Sequence, residues 1–430
     1  MTAATTTYRR VLALGGPLLP VVSFLGRLPT AMCQLGSVLL VAETSGSLTT
    51  AGLVGGALAA GQTVAGPLTG RLADRHGQRP VVLVTCWLNA LAVAALVTAA
   101  LARTATLPLA LIGLLAGASV PQIGPLARTR LVALAHRAAA GDRVVGAALS
   151  LEGTLDETSF VLGPALVGLA ASFAHPAVAL ALAALLLAVC GTAFALHPTA
   201  VAAGPGAARA PRAPGTPRTA RARMPRAVHA MRLSTALQGA MFGACQAGIT
   251  ALTERLHQPA QAGLVYAAMG VMSAAAGLSL ALVPARIGLP ARWRAAAAAL
   301  IVLSVPLLFV RSLGALYLVV VVLGVAFAPH LITLFGLTER LVPATRLAES
   351  MAFLTSAVVG GQAVALAVSG RLADTHGPAA AFAVAVGAAV LILAVALTTR
   401  GGTRPAAPAG TGRDAPGTGR DAAANPAPAP

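Results

Sequence analysis

The chain has 430 residues, 57% of them hydrophobic and 10% charged, with a formal net charge of +18. Soluble domains carry about 25% charged residues, so this composition excludes an ordinary soluble fold. All the basic side chains are arginine and only 3% of residues are aromatic, which leaves few stacking groups for a nucleic-acid binder.

Apolar runs of membrane-spanning length recur along the chain. In hydrocarbon every backbone polar group must be bonded internally, so these runs are expected to be helices. The alternating ten-residue segments of an outer-membrane barrel are absent. Twelve spans are expected, near residues 12–41, 48–70, 81–101, 105–131, 144–172, 176–196, 231–252, 263–283, 293–310, 314–337, 348–369 and 379–397. Arg9 and Arg10 precede the first run, which continues past signal-peptide length and contains Arg27, so it reads as a retained first helix. The cysteines Cys33, Cys86, Cys190 and Cys245 lie in separate runs with neither metal-ligand nor disulfide spacing. No metal and no cofactor is expected.

Arginine placement orients the spans. If the N-terminus is cytoplasmic, 25 of the 30 arginines fall on that side. Arg103, Arg255, Arg311 and Arg371 fall outside and Arg27 lies within a span. This bias predicts an even number of spans with both termini cytoplasmic. Residues 198–229, rich in Ala, Pro, Gly and Arg, read as a cytoplasmic linker between two groups of six spans, 1–197 and 230–400. Residues 401–430 contain GTGRDA twice and read as a disordered tail.

The sequence GRLADRHGQR at 70–79 sits between spans two and three, and GRLADTHG at 370–377 nearly repeats it. Gly77 suits a tight turn and Pro80 suits the first turn of the third helix. The first string resembles the signature G-x-L-A-D-R-x-G-x-R/K of the major facilitator superfamily, with every position present. Twelve spans as six plus six resemble the same family. The resemblance implies an all-α integral membrane protein whose twelve transmembrane helices form two six-helix bundles rocking about a central site. It also implies a cytoplasmic gate at Gly70, Asp74, Arg75, Gly77 and Arg79. A carboxylate near helix N-termini and arginines makes charge-assisted bonds that break when helices separate. The alternative is a loop whose charges only set topology. The span count puts the second string between spans eleven and twelve, on the outer face, where Asp374 reads as a structural turn or as a separate gate.

A second resemblance lies in span five. Residues 159–168, SFVLGPALVG, are similar to the family's exporter signature G-x-x-x-G-P-x-x-G-G, with Ser159 and Val167 in place of two glycines. Ser159, Gly163, Pro164 and Gly168 would then form an antiporter-like kink and close-packing surface, or ordinary Gly-Pro packing.

Ionisable groups inside a bilayer are costly and point to function. Arg27 shares a helix face with Thr30 and Gln34, which reads as a cavity lining or as an arginine snorkelling to the interface. Glu152 and Asp156 lie one turn apart in span five, near Arg128 and Arg130. They read either as a structural ion-pair cluster or as the proton-coupling group, with Asp156 first and Glu152 next. His330 follows Pro329 deep in span ten and reads as a proton relay or a hydrogen-bonded structural histidine. Gln122 and Gln238 read as cavity or inter-helix polar groups. Glu339 and Glu349 are expected to form local salt bridges with Arg340 and Arg346.

These features predict a secondary active transporter rather than an enzyme. The leading expectation is proton-coupled export of a small organic molecule by a monomer in the cell membrane. The alternatives are an uptake permease for a sugar, amino acid or organic acid, and more remotely a membrane enzyme or sensor. No paired-histidine metal motif, nucleophile with a base, or phosphate-cradling loop supports the last.

Overall fold

The computed structural model describes residues 3–203, 224–258, 261–284 and 286–399, and every regular element among them is helical. The central part of the expected linker and the expected tail with its repeat lie outside the described residues.

Twelve helical crossings follow a short leading helix, α1 (Ala3–Gly15). The first half contains α2 (Leu18–Ser45), α3 (Leu48–His76), α4 (Gln78–Leu101), α5 (Thr106–Ala118) with α6 (Ile123–Arg137), α7 (Asp142–Phe173), and α8 (Pro176–Leu186) continued through a π turn into α9 (Thr192–Leu196). The second half contains α10 (Arg226–Arg255), α11 (Gln261–Ser279), α12 (Leu289–Ser304), α13 (Leu313–Leu341), α14 (Leu347–His376) and α15 (Pro378–Thr398). Apolar length alone marks nine crossings among the described residues. The other three, α3, α7 and α10, have 29, 32 and 30 residues but are diluted by glycine, hydroxyl and charged side chains. The protein is a multi-pass membrane protein.

Three sequence-based boundaries change. The first expected span, 12–41, is two helices. Gly16 takes φ +73°, and Pro17 has no N–H with which to continue α1. α1 instead packs across one end of the bundle, burying Val11, and Tyr8 Oη donates to the Leu278 carbonyl in the other half at 2.8 Å. The fourth span, 105–131, is broken between Ala118 and Ile123, where Pro121 denies the Gly117 carbonyl its α-helical partner. The second half begins earlier than residue 230, because α10 starts at Arg226.

Small residues let the helices approach closely, as membrane packing favours. A Cβ added to Gly239 of α10 would lie 2.0 Å from the Val358 carbonyl oxygen, and one added to Gly361 of α14 would lie 2.0 Å from that of Ala236. The buried apolar residues show where the halves join. One core combines Val132, Ala135, Val145 and Leu149 with Ile332, Phe335, Leu347 and Met351. It lies where α6 ends, α7 begins and α13 ends, which we call the arginine-rich end. Toward the opposite end, Leu40, Leu58, Leu96, Leu109 and Leu180 form a core drawn from the first half alone.

Candidate functional site

The string at 70–79 is mostly helix rather than loop. α3 runs through His76, and the turn is one residue, Gly77, at φ +88°. Only glycine takes this backbone without strain, and α4 starts immediately after it. Extending α3 carries Asp74 to the first turn of α14. Asp74 Oδ1 accepts the Ala348 N–H at 3.1 Å and Oδ2 accepts the Glu349 N–H at 2.8 Å. A helix leaves its first amides without internal partners and its N-terminus favours an anion, so both bonds are charge-assisted. Gly70 makes this approach possible, since a Cβ there would lie 2.5 Å from the Ala348 carbonyl oxygen. None of the string's three arginines, Arg71, Arg75 and Arg79, pairs with Asp74 among the described residues. Arg75 is exposed, and Arg79 Nη2 donates to the Leu196 carbonyl at 3.2 Å. Arg346 instead makes two 3.0 Å bonds to Glu349 beside the carboxylate. Other bonds across the halves at this end join Arg340 to Asp142 at 2.8 Å and His136 to Glu339 at 3.4 Å. Of the two local salt bridges expected, only Arg346–Glu349 forms. Arg340 and Glu339 reach across to α7 and α6.

About 18 Å back along α3 from Asp74, by a rise of 1.5 Å per residue, Gln62 shares a cavity wall with a charged cluster on α2, α6 and α7. Arg27 of α2 faces α7. Its Nη1 donates to Asp156 Oδ1 at 2.7 Å and to the Glu152 carbonyl at 3.1 Å, and its Nη2 pairs with the Glu152 carboxylate and Ser23 Oγ. Arg128 of α6 pairs with the other oxygen of Asp156, and its guanidinium lies 3.8 Å from the Phe335 ring centroid on α13 of the second half. Asp156 is therefore shared by two arginines on different helices. The break before α6 supports this, because it places the first turn of α6 at the carboxylate. A Cβ on Gly124 would lie 2.7 Å from Asp156 Oδ1. Glu152 and Arg128 are sealed at 0% and 1% exposure, while Asp156 is 16% exposed.

That exposure opens on a small cavity lined by Arg27, Thr30, Gln62, Gln122, Asp156, Ser159, Phe160 and Thr355. It joins both halves through Thr355 of α14. Gln34, one turn beyond Thr30, donates to Gln62 Oε1 at 3.2 Å and so supports the wall. Ser159 Oγ donates back to the Leu155 carbonyl at 2.6 Å. Gly163 meets α2 closely, with a Cβ there 2.6 Å from Ala31, while Gly168 has open space around it. Pro164 lies inside the unbroken α7.

Other sequence candidates lie elsewhere. His330 is fully buried in the second half, away from the cavity. Trp293 Nε1 donates to its Nε2 at 3.2 Å, so that nitrogen is an acceptor, and Nδ1 faces Gln238 Oε1. Gln238 in turn donates to the Phe327 carbonyl at 2.9 Å. His330 and Gln238 thus form one closed structural network. Arg130 joins neither carboxylate. It lies over the Phe194 ring at 3.7 Å and bonds Gln78 and the Phe194 carbonyl, each at 2.7 Å. Burial and the nearby Arg130 charge lower the pKa of His197 beyond the end of α9. Glu157 is a further buried carboxylate of α7, outside the residues that the sequence singles out. It lies on the α7 face that meets α11, between Thr154, which a Cβ on Gly277 would touch, and Val161, which a Cβ on Gly270 would touch. Its place one residue after Asp156, a helical step of about 100° around the axis, is the sequence signal that it faces a different neighbour.

The chain's relatives share this architecture. The sequence profile described as Major Facilitator Superfamily matches residues 21–346. Among curated proteins no sequence match is found. Among solved structures, the human organic anion transporter MFSD10 (TETRAN) is 20% identical with a TM-score of 0.64, over 92% of this chain and all of that one. A bacterial homologue of the iron transporter ferroportin, in an outward-facing state with soaked iron, is 18% identical with a TM-score of 0.67, over 88% and 98% of the chains. The transporter FucP in the outward conformation is 16% identical with a TM-score of 0.64, over 88% and 97%. With the sequence profile covering most of its length and twelve helical crossings built as these transporters are, the chain belongs to the Major Facilitator Superfamily.

Proposed function

We propose that the protein exports a small organic molecule from the cytoplasm in exchange for protons, by rocking its halves about the cavity beside Asp156. The observation that carries this reading is the sharing of Asp156 between Arg27 and Arg128 at the cavity wall. A proton on Asp156 removes the one carboxylate that Arg128 pairs with, while Arg27 keeps Glu152. Arg128 also lies on Phe335 of the opposite half, so the proton changes a group that touches both halves. Protonation is thereby coupled to their relative position, which is what antiport requires.

The arginine bias supports a cytoplasmic arginine-rich end, with both termini on that side of the cell membrane. The Asp74 contact with α14 is then the cytoplasmic gate, drawn shut. Gln62, Gln122, Thr30 and Thr355 offer hydrogen bonds and Phe160 an apolar face, which suits a compact polar organic substrate bound by a monomer.

The test is accumulation of candidate compounds in everted vesicles with and without an uncoupler. Accumulation that collapses with the proton gradient supports export by antiport. Accumulation only in right-side-out vesicles favours an uptake permease. Flux insensitive to the gradient, or normal coupling in Asp156→Asn, overturns the proposed proton site.

A further inference from the structure

The second string, GRLADTHG at 370–377, ends α14 as the first string ends α3. Both helices stop at a glycine with positive φ, Gly77 at +88° and Gly377 at +85°. α3 and α14 run antiparallel, and at the arginine-rich end their register is fixed by contact. Asp74 meets Ala348 and Glu349, Gly70 meets Ala348 and Ala352, Gly66 meets Ser356, and Thr63 meets Gly360. Each turn back along α3 is matched by a turn forward along α14. Toward the other end these helices have glycines that stand in open space. A Cβ on Gly56, Gly52 or Gly370 would meet nothing within 4 Å. Asp374 is exposed and has no hydrogen bond or ion pair among the described residues.

Continued through the remaining turns, the register puts Gly370 opposite Gly52 and Asp374 opposite Leu48 and Thr49. The 26 residues are about 7.2 turns of 3.6 residues, so Leu48 and Asp374 lie about 80° round their helices from the faces that carry Asp74 and Ala348, an offset that the rocking of the halves takes up. Leu48 and Thr49 open α3, so their N–H groups lack helical partners. The cap of α3 leaves them available, since Ser47 Oγ takes only the Thr50 N–H, at 3.2 Å. At the closed end Asp74 accepts the amides of the residues in the same register with it.

We infer that Asp374 is a second latch. When the halves rock and the end opposite the arginine-rich one closes, Asp374 accepts the Leu48 and Thr49 N–H groups of α3, and Gly370 packs on Gly52. The two strings are then one device used at both ends of one helix pair. Asp74 holds the state seen here, and Asp374 holds its opposite. This rests on the reading that the halves rock between two closures.

Spin labels on the α2–α3 and α14–α15 turns of the full chain in nanodiscs, at Ser45 and His376, report closure of that end as a shorter distance population. Asp374→Asn is expected to lower that population about fivefold, the usual effect of losing a capping side chain. Asp74→Asn is expected to raise it by a similar factor. Leu48→Pro, which removes a receiving N–H where proline is tolerated, should mimic Asp374→Asn, and the double variant should lose little more. Asp374 is exposed in the present state, so its variant has no buried contact here to lose. A label pair that shortens equally in the parent and in Asp374→Asn would overturn the latch alone. A pair that never shortens in the parent would overturn the rocking reading and the latch with it.

Discussion

Asp156→Asn tests the central cluster most directly. The substitution keeps the size of the side chain and removes its charge. Arg27 retains its pair with Glu152, but Arg128, at 1% exposure, loses the carboxylate it pairs with. Its Nε and Nη1 have no hydrogen-bond partner, so little else holds the guanidinium beyond the Phe335 face. Removing one partner of a buried ion pair costs about 3–5 kcal/mol. Asp156 is 16% exposed and water shares part of the load, so about 3 kcal/mol is expected, on the order of 100-fold in the folding equilibrium. Arg128→Met removes the same pair from its other side, and the Arg128→Met/Asp156→Leu double variant should recover most of the loss. The assay is unfolding in mixed micelles for Arg128→Met, for Asp156→Leu as the single that completes the cycle, and for the double. If the double variant costs the sum of the singles to within about 0.5 kcal/mol, the two groups are not coupled and the cluster has been misread.

Asp74→Ala should weaken closure at the arginine-rich end by about 1–2 kcal/mol, as loss of a helix-capping side chain does, and raise thiol labelling of Ala352→Cys. Unchanged labelling would show that the carboxylate does not hold the gate. Gly70→Leu should act in the same direction, because its Cβ would stand 2.5 Å from the Ala348 carbonyl oxygen. His330→Gln should lower stability by about 1–3 kcal/mol through its lost bonds to Trp293 and Gln238, with the pH profile of transport unmoved. A shifted pH profile would return His330 to the proton path. Gly239→Leu should yield little folded protein by size-exclusion chromatography, since α10 and α14 would have to separate at the Val358 carbonyl.

Several of these features were legible in the chain itself. Long apolar runs mark nine of the crossings among the described residues, because hydrocarbon leaves the backbone no partner but its own helix. The Gly70–Arg79 string points to the family and to a tight turn at Gly77, since glycine takes positive φ at no steric cost, but not to the continuation of α3 through His76 that shortens the expected hinge to one residue. Helical periodicity puts Arg27, Thr30 and Gln34 on one face, and that face does line or support the cavity. The Gly16–Pro17 dipeptide and Pro121 signal the two helix breaks, although the apolar pattern runs through both.

Partner choice was decided only by the tertiary structure. Periodicity names the face of a helix and not the helix that covers it. Arg27 therefore reads as a cavity residue from sequence, while only packing brings it to Glu152 and Asp156, more than 120 positions away. Arg128 and Arg130, two positions apart, point to opposite sides of α6 and end on Asp156 and on Phe194. The same logic separates the two copies of one string. Asp74 and Asp374 have nearly identical neighbours in sequence, yet one carboxylate meets a helix N-terminus and the other meets solvent. That difference belongs to the relative position of the two halves, which side-chain periodicity does not encode.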